Sequence, residues 1–176
     1  MKRYIKAEAD NESYLSYANE GSLDVVFNPN VEVRERVALY TPLVELLEIY
    51  ACDPEGDVRS AVAFNENTPV EILRALADDP WSGVRDCLVR NPNTPMDVLI
   101  KLTDDSDYGI RWHLAQNQNL PVDVLAKFAH DPDTSIRRAL LDNRNITSDI
   151  LEELAHDPDD FISAVAQNAL NRGGVV

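Results

Sequence analysis

The sequence predicts an all-α protein, an α-solenoid built from short helix pairs. An Asp recurs every 26 residues, and in all copies but the last an Arg follows it after six residues and an Asn after six more. Self-similarity at a fixed period of a few tens of residues is typical of solenoid proteins. Apolar residues recur at helical rather than strand-like spacing. All 10 prolines fall at predicted helix starts or in loops, so local propensity and periodicity agree.

The period divides the chain into repeats that we expect to form one structural domain over 28–176. A terminal repeat needs an atypical element over its exposed core face. We therefore predict an N-terminal cap over 1–27, helical around 13–19, with a targeting or partner-binding segment as the alternative. The last copy is truncated and has Ser163 where the Arg is expected. The predicted repeats are 28–52, 53–78, 79–104, 105–130, 131–156 and 157–176.

Two short helices are predicted in each complete repeat, as the copy that begins at Asp53 illustrates. The first helix is expected over about 58–64, where apolar residues lie on one helical face. The second is expected over about 69–78, with Thr68 as the N-cap residue and Pro69 at the first helical position. Glu71 would complete a capping box with Thr68.

Composition argues against several classes of function. The chain has 176 residues with 31 acidic and 16 basic side chains, a net charge of −15. Because phosphate binding needs clustered Lys and Arg, we expect no nucleic-acid partner. No apolar run reaches the length of a membrane span, and the start lacks a signal-peptide core. We therefore expect a cytoplasmic protein with no membrane partner. Cys52 and Cys87 fit neither a disulfide framework nor a metal-ligand spacing.

The repeat resembles the leucine-rich repeat variant family, most clearly in DPEGDVRSAVAFNENTPVEILRALADD at 53–79. The resemblance covers about 28–171, and the Asp–Arg spacing is also similar to that of HEAT repeats. It implies a right-handed superhelix of alternating α- and 3₁₀-helices without strands. The founding type of the family carries a cysteine-ligated iron–sulfur cluster in an N-terminal region. Residues 1–27 contain no Cys, so we expect no cofactor here.

The recurring polar residues are interpreted as a structural ladder. Neighbouring repeats stack at roughly 8–10 Å, so each Arg can meet the Asp of its own or the adjacent repeat. The Asp is also placed to cap the first helix, and the Asn to adopt left-handed geometry and bond the loop backbone. The alternative is an anion-binding Arg stripe. The ladder residues are Asp53, Asp79, Asp105, Asp131, Arg34, Arg59, Arg85, Arg111, Arg137, Asn65, Asn91, Asn117 and Asn143.

Three aromatic residues interrupt columns that are otherwise polar or small. Trp81 stands in a column that reads Glu, Trp, Asp, Asp, Asp, and Trp112 in one that reads Ser, Asp, Trp, Arg. Tyr108 interrupts the column Gly, Ser, Tyr, Thr. Because Trp and Tyr often anchor interfaces, these three are the candidate partner-binding residues. The alternative is that they pack on a neighbouring loop and fill the space left by Gly83 and Gly109.

No catalytic, cofactor or metal constellation stands out. Cys87 and His113 occupy equivalent positions in adjacent repeats, but no third group orients them as nucleophile and base. His130 and His156 share a column, which is too few ligands for a metal site. We therefore predict a non-enzymatic protein-binding scaffold, whose partner and oligomeric state the sequence does not name. The alternative is a HEAT-like nucleic-acid-binding or base-processing protein, which needs a Lys/Arg stripe beyond the Asp-paired column.

Overall fold

The computed structural model describes residues 27–173, and in that range all regular secondary structure is helical, with no strand. The predicted all-α class is confirmed. Most of the predicted cap over 1–27 lies outside the described residues. The helices are α1 Val31–Tyr40, α2 Val44–Tyr50, α3 Gly56–Phe64, α4 Val70–Leu76, α5 Ser82–Arg90, α6 Met96–Leu102, α7 Tyr108–Ala115, α8 Val122–Leu125, the 3₁₀-helix η1 Ala126–His130, α9 Thr134–Leu140, α10 Ser148–Leu154 and α11 Asp160–Asn171.

The chain divides into two compact units, Met1–Pro95 and Met96–Val176. In the first unit α1 packs on α3 and α3 packs on α5, so the first helices of successive repeats are neighbours. The second helices α2 and α4 each contact the first helices that precede and follow them. In the second unit α7 packs on α9, η1 lies against α9 and α10, and α10 packs on α11. Each unit therefore repeats a helix pair, as the sequence period predicts.

The core is formed by the same apolar columns in every repeat. In α3, Val58 and Val62 are completely buried, and so are their counterparts Val84 and Leu88 in α5. The second helices contribute residues such as Leu73, which is also completely buried. Burial of each such side chain stabilises the fold by about 1.5–3 kcal/mol. The equivalent buried residues of the second unit are Ile110, Leu114, Ile136 and Leu140.

The first helices begin three residues after the ladder Asp, and the residue two after it is the N-cap, so the prediction that this Asp is the N-cap is wrong. The N-cap residue is Asp107, Asp133 or Asp159 in three copies, and each carboxylate accepts a backbone N–H from the first turn. Asp107 Oδ1, for example, accepts from Gly109 N at 2.8 Å. The ladder residue Asp105 in turn accepts the N–H of Asp107 at 2.9 Å. The carboxylates of Asp105 and Asp107 therefore both accept backbone N–H groups at the start of the helix.

Thr68 does not cap the second helix, which begins at Val70 with Pro69 as its N-cap residue. The Thr68 hydroxyl is buried and donates to the Val62 carbonyl at 2.6 Å. Thr94 repeats this contact one copy later, with Leu88 O at 2.6 Å. The predicted capping box is therefore wrong: Pro69 holds the N-cap position, and the hydrogen bond of the Thr68 hydroxyl goes to the end of the first helix.

The Thr contact correlates with where the first helix ends. With Thr68 and Thr94 present, α3 and α5 end at Phe64 and Arg90. Their counterparts in the next two copies would be residues 116 and 142, but there Leu120 and Ile146 replace the Thr. Those helices end earlier, α7 at residue 115 and α9 at residue 140. We infer that the Thr hydroxyl holds the last turn of the first helix.

No helix in the described part of the chain is both long and apolar enough to cross a membrane.

We predict that Thr68→Val lowers the free energy of unfolding by about 1 kcal/mol, because a buried carbonyl loses a donor while the side-chain shape is kept. Urea titration followed by circular dichroism measures the change. Thr147→Val is the matched control, since Thr147 is an N-cap residue whose side chain makes no capping hydrogen bond. Equal changes for the two variants would contradict the role assigned to the Thr68 hydroxyl.

Candidate functional site

A ladder of buried Arg–Asp pairs joins successive repeats. The Arg59 guanidinium donates through Nε and Nη2 to Oδ2 and Oδ1 of Asp79, at 2.6 and 2.9 Å. Its Nη1 donates to the main-chain oxygen of Asp53 at 2.7 Å. Arg59 therefore binds the carboxylate of the following repeat and the backbone of its own repeat. The fork geometry of the guanidinium makes both contacts possible with a single side chain.

The same arrangement recurs within each unit. Nε–Oδ2 distances lie between 2.6 and 2.8 Å, and side-chain exposure is 11–14% for the Arg and 3–7% for the Asp. Charged groups at this depth need complete hydrogen bonding, because removing one partner of such a pair typically costs about 3–5 kcal/mol. The second contact, to the backbone of the Asp in the same repeat, is made by Arg85 and Arg111 at 2.6 and 2.7 Å. The other pairs are Arg34–Asp53, Arg111–Asp131 and Arg137–Asp157.

The ladder shifts the titration of two of its carboxyl groups in particular, Asp79 and Asp157. Burial by itself raises the pKa of Asp79, but hydrogen bonds from Arg59 and from the backbone N–H of Trp81, with the charges of Arg59 and Arg85, lower it below its ordinary value. At Asp157 the hydrogen bond from Arg137 is the largest effect, and it lowers the pKa against the cost of burial. The ladder thus favours the ionised form of these carboxyl groups.

Three Asn residues of the ladder, Asn65, Asn91 and Asn143, tie their repeats to the backbone of the repeat before. Asn91 Nδ2 donates to the carbonyls of Ala63 and Asn65 at 2.8 and 3.0 Å. Its Oδ1 accepts the N–H of Asn93 at 2.9 Å. Asn143 makes the same cross-repeat contacts in the second unit. Asn117 accepts the N–H of residue 119 at 2.8 Å.

The prediction of left-handed geometry for these Asn residues is wrong. Asn91, for example, has φ −76° and ψ 121°, in the extended region. In the described part of the chain only Gly173 has a positive φ. The Asn is therefore required for its amide, which donates to one loop and accepts from another, and not for its backbone freedom.

Both ends of the ladder lack one of its charges. Asn28 holds the Asp position of the first copy, and its carbonyl accepts from Arg34 Nη1 at 2.7 Å. Ser163 holds the Arg position of the last copy, and its hydroxyl donates back to the Asp159 carbonyl at 3.2 Å. The array therefore carries neither an unpaired Asp at its start nor an unpaired Arg at its end.

Trp81, the first aromatic candidate, is 55% exposed and is packed along one side. A Cβ placed on Gly56 would lie 2.8 Å from Trp81 Cγ, and one on Gly83 would lie 2.7 Å from Trp81 Nε1. Both glycines are therefore needed to let the indole lie on the backbone. Trp81 occupies the N-cap position of α5 and makes no side-chain capping bond there. Trp81 therefore packs on the backbone of neighbouring residues, as the alternative interpretation of the sequence predicts, and it also leaves about half of its side chain exposed.

Tyr108 and Trp112 lie four residues apart on α7, so they share one face of that helix. Tyr108 is 63% exposed and Trp112 is 37% exposed. Trp112 packs edge-on against His113, with ring centroids 5.1 Å apart. A Cβ placed on Gly109 would lie 3.2 Å from Oδ1 of Asp107 and would meet no atom of Trp112 within 4 Å, so the indole does not fill the space beside that glycine. These two aromatics form an exposed pair on α7.

Two further exposed aromatics were missed by the sequence reasoning. Phe64 stands in a column whose other members are Arg, Gln and Asp, and half of its side chain is exposed. Phe161 follows Asp, Gly, Gly and Ser in its column, and the Arg138 guanidinium lies 4.1 Å from the centre of its ring. The signal that singled out Trp81, an aromatic residue in a polar column, would have found both.

The remaining candidate groups have ordinary environments. Burial raises the pKa of the Cys87 thiol, which disfavours the thiolate. His130 Nε2 lies 3.1 Å from Glu153 on the surface, and His156 Nδ1 lies 2.9 Å from the Glu152 carbonyl. Within residues 27–173 no group of three or more His, Cys, Asp or Glu side chains is placed to hold a metal ion.

Comparison with known proteins places the chain next to one family. The family model described as leucine rich repeat variant matches residues 56–80. The solved structure titled as a leucine-rich repeat variant with a novel repetitive protein structural motif superposes with a TM-score of 0.70 at 29% sequence identity. The alignment covers 85% of this chain and 60% of that chain, so this protein spans about three fifths of its relative's length. No curated protein matches the sequence. The resemblance seen in the sequence is confirmed.

We predict that Asp79→Asn flattens the acid dependence of stability. A carboxyl group whose pKa is lower in the folded than in the unfolded state stabilises the fold above its ordinary pKa of 3.8. This contribution is lost as the pH falls through the folded value. The wild-type free energy of unfolding should therefore fall more steeply below about pH 4 than that of the variant.

Denaturant titrations between neutral pH and about pH 2 measure this difference. Glu71→Gln is the control, because it removes an exposed carboxylate on the neighbouring helix α4. The control should follow the wild-type curve. Parallel acid profiles for the wild type and Asp79→Asn would contradict the assigned pKa shift.

Proposed function

Since the chain is built of leucine rich repeat variant units in the fold of that family, we propose that it is a cytoplasmic, non-enzymatic scaffold that binds a partner protein. Trp81, Tyr108 and Trp112 are the proposed anchors. The observation that carries the proposal is the exposure of Tyr108 and Trp112 on one face of α7, at positions where other repeats have polar or small residues. The fold does not need aromatic rings there.

Trp and Tyr suit this role because they supply a large contact area with few rotatable bonds and a polar group at the edge. Replacing an anchor of this kind by Ala typically weakens the free energy of binding by about 2 kcal/mol or more, as at interface hot spots. Trp81 differs from the other two because its ring already rests on Gly56 and Gly83. A rigidly seated, half-exposed indole loses little side-chain freedom on binding, which favours a contact role.

The Arg column lends no support to the nucleic-acid alternative. The ladder guanidiniums are engaged by carboxylates and backbone carbonyls at hydrogen-bonding distance, as in Arg59 and Arg137. Phosphate recognition needs such groups to be available, and the net charge of −15 opposes a polyanion. A protein partner therefore fits the surface better.

The test replaces each aromatic by the residue that stands at the same position in another repeat. The variant Trp81→Asp/Tyr108→Thr/Trp112→Ser should fold, because Asp133, Thr134 and Ser60 occupy those positions elsewhere. Affinity capture from a lysate of the native host should retain one or more proteins on the wild type and lose them on this variant. Each true anchor should weaken binding by about 2 kcal/mol.

Tyr40→Ser is the matched control, because Tyr40 is also exposed and aromatic but ends α1. It should retain the same proteins as the wild type. Equal retention by the triple variant would contradict the anchor assignment. If the wild type itself retains no protein, the scaffold function is contradicted.

A further inference from the structure

A groove of about 330 Å³ lies on the first unit, where the first helices α1, α3 and α5 meet the surface. Its apolar lining comes from Leu39 of α1, Ala61 and Phe64 of α3, and Cys87 of α5. Small-molecule pockets typically hold about 300–1,000 Å³, so this groove is at the lower limit and suits a single side chain.

The ionisable groups of the groove are both acidic. Glu35 and Asp57 line it, and no basic side chain does. Neither carboxylate makes a hydrogen bond or ion pair with any of the residues between 27 and 173. Arg90, which holds the position of Phe64 in the next repeat, is paired with Asp86 at 2.8 Å. The groove therefore combines an apolar floor with two carboxylates that have no counter-charge of their own.

Ser60 adds a polar group that the fold leaves unused. Its Oγ is buried at the groove and has no hydrogen-bond partner in the described part of the chain. Buried polar atoms in native proteins are nearly always satisfied, so an unsatisfied one calls for an explanation.

Phe64 is the residue that sets this repeat apart. Other copies place Arg, Gln and Asp at its position, yet here the ring is half exposed beside the groove. The exposed half of the Phe64 ring has no packing partner in the described part of the chain. It does give an apolar occupant of the groove a ring to pack against.

We propose that this groove binds a segment of a partner protein in which an apolar side chain is flanked by Lys or Arg. The apolar side chain fills the groove against Phe64, and the basic side chains pair with Glu35 and Asp57. Charge complementarity selects this segment, because it supplies the counter-charges that the groove lacks. The inference rests on the scaffold function proposed above but not on the aromatic pair of α7.

The test uses a fluorescein-labelled peptide with a central Leu-Phe pair flanked by Arg-Arg on both sides. Fluorescence anisotropy at physiological salt measures its affinity for the full chain. Glu35→Gln/Asp57→Asn and Phe64→Gln should each weaken binding about tenfold or more. Phe64→Gln should fold, since Gln116 occupies the same position in a later repeat. A peptide with Gly-Ser in place of Leu-Phe should bind the wild-type chain no more tightly than the Leu-Phe peptide binds the weakest-binding variant.

Two controls separate the groove from diffuse attraction to an acidic protein. Glu45→Gln/Glu48→Gln makes the same charge change at exposed positions of α2 and should leave the affinity unchanged. In a Cys52→Ser background Cys87 is the only thiol, and the peptide should slow its alkylation by N-ethylmaleimide. Equal loss of affinity in the α2 control, or no protection of Cys87, would overturn the proposal.

Other occupants give distinct results. Protection of Cys87 that grows with protein concentration in the absence of peptide would mean that a second copy fills the groove. A Cys87 that is fully protected at all concentrations would mean that the chain covers its own groove. Either result overturns the proposal. The variant Tyr108→Thr/Trp112→Ser should bind the peptide with the affinity of the wild type. A failure of the α7 anchors and a failure of the groove are therefore detected with different variants.

Discussion

Within each unit, the buried pairing of a ladder Arg with the Asp of the following repeat is the constraint on which the rest of the structure depends. A guanidinium and a carboxylate that are nearly inaccessible to water are tolerated only if all their hydrogen-bonding capacity is used. The Asp meets this condition completely. Asp79 accepts from Arg59 with both oxygens, accepts the N–H of Trp81, donates its own N–H to Leu76 O and offers its carbonyl to Arg85.

This requirement fixes the register of neighbouring repeats. Apolar contacts between two helices are not directional, so a stack held only by Val, Leu and Ile could slide with modest loss. The Arg–Asp bonds and the Asn91 bonds to Ala63 and Asn65 can form in one register only. Because these interior contacts hold each repeat in place, exposed positions such as those of Phe64 and Trp112 are free to vary between copies. Function in such a protein is therefore expected at the exposed positions, outside the ladder columns.

The sequence was sufficient to predict the helix pairs, the buried columns and a role for the Asp and Arg, because these features follow from a period that can be counted. It could not decide which Asp each Arg would reach, since both the same and the adjacent repeat lie within range. The caps were misassigned for a physical reason. Asp, Asn and Thr can each bond several nearby backbone groups, and only the fold decides which.

Thr68 illustrates this limit, because its sequence fits a capping box while its hydroxyl donates to Val62 instead. The exposed aromatics were predictable in kind, since Phe64 interrupts a polar column in the same way as Trp81. The groove beside Phe64 was not predictable. Glu35 and Leu39 come from the first copy, which the 26-residue period does not align with the later repeats.

The most direct test of the central claim is a double-mutant cycle on Arg59 and Asp79, using Arg59→Met, Asp79→Asn and the double variant. If the pair locks adjacent repeats, the coupling energy from denaturant titrations should be about 2 kcal/mol or more. The exposed pair Arg90–Asp86 on α5 is the reference and should give about 0.3–0.5 kcal/mol. A coupling energy for Arg59 and Asp79 no larger than that of the exposed pair would contradict the account.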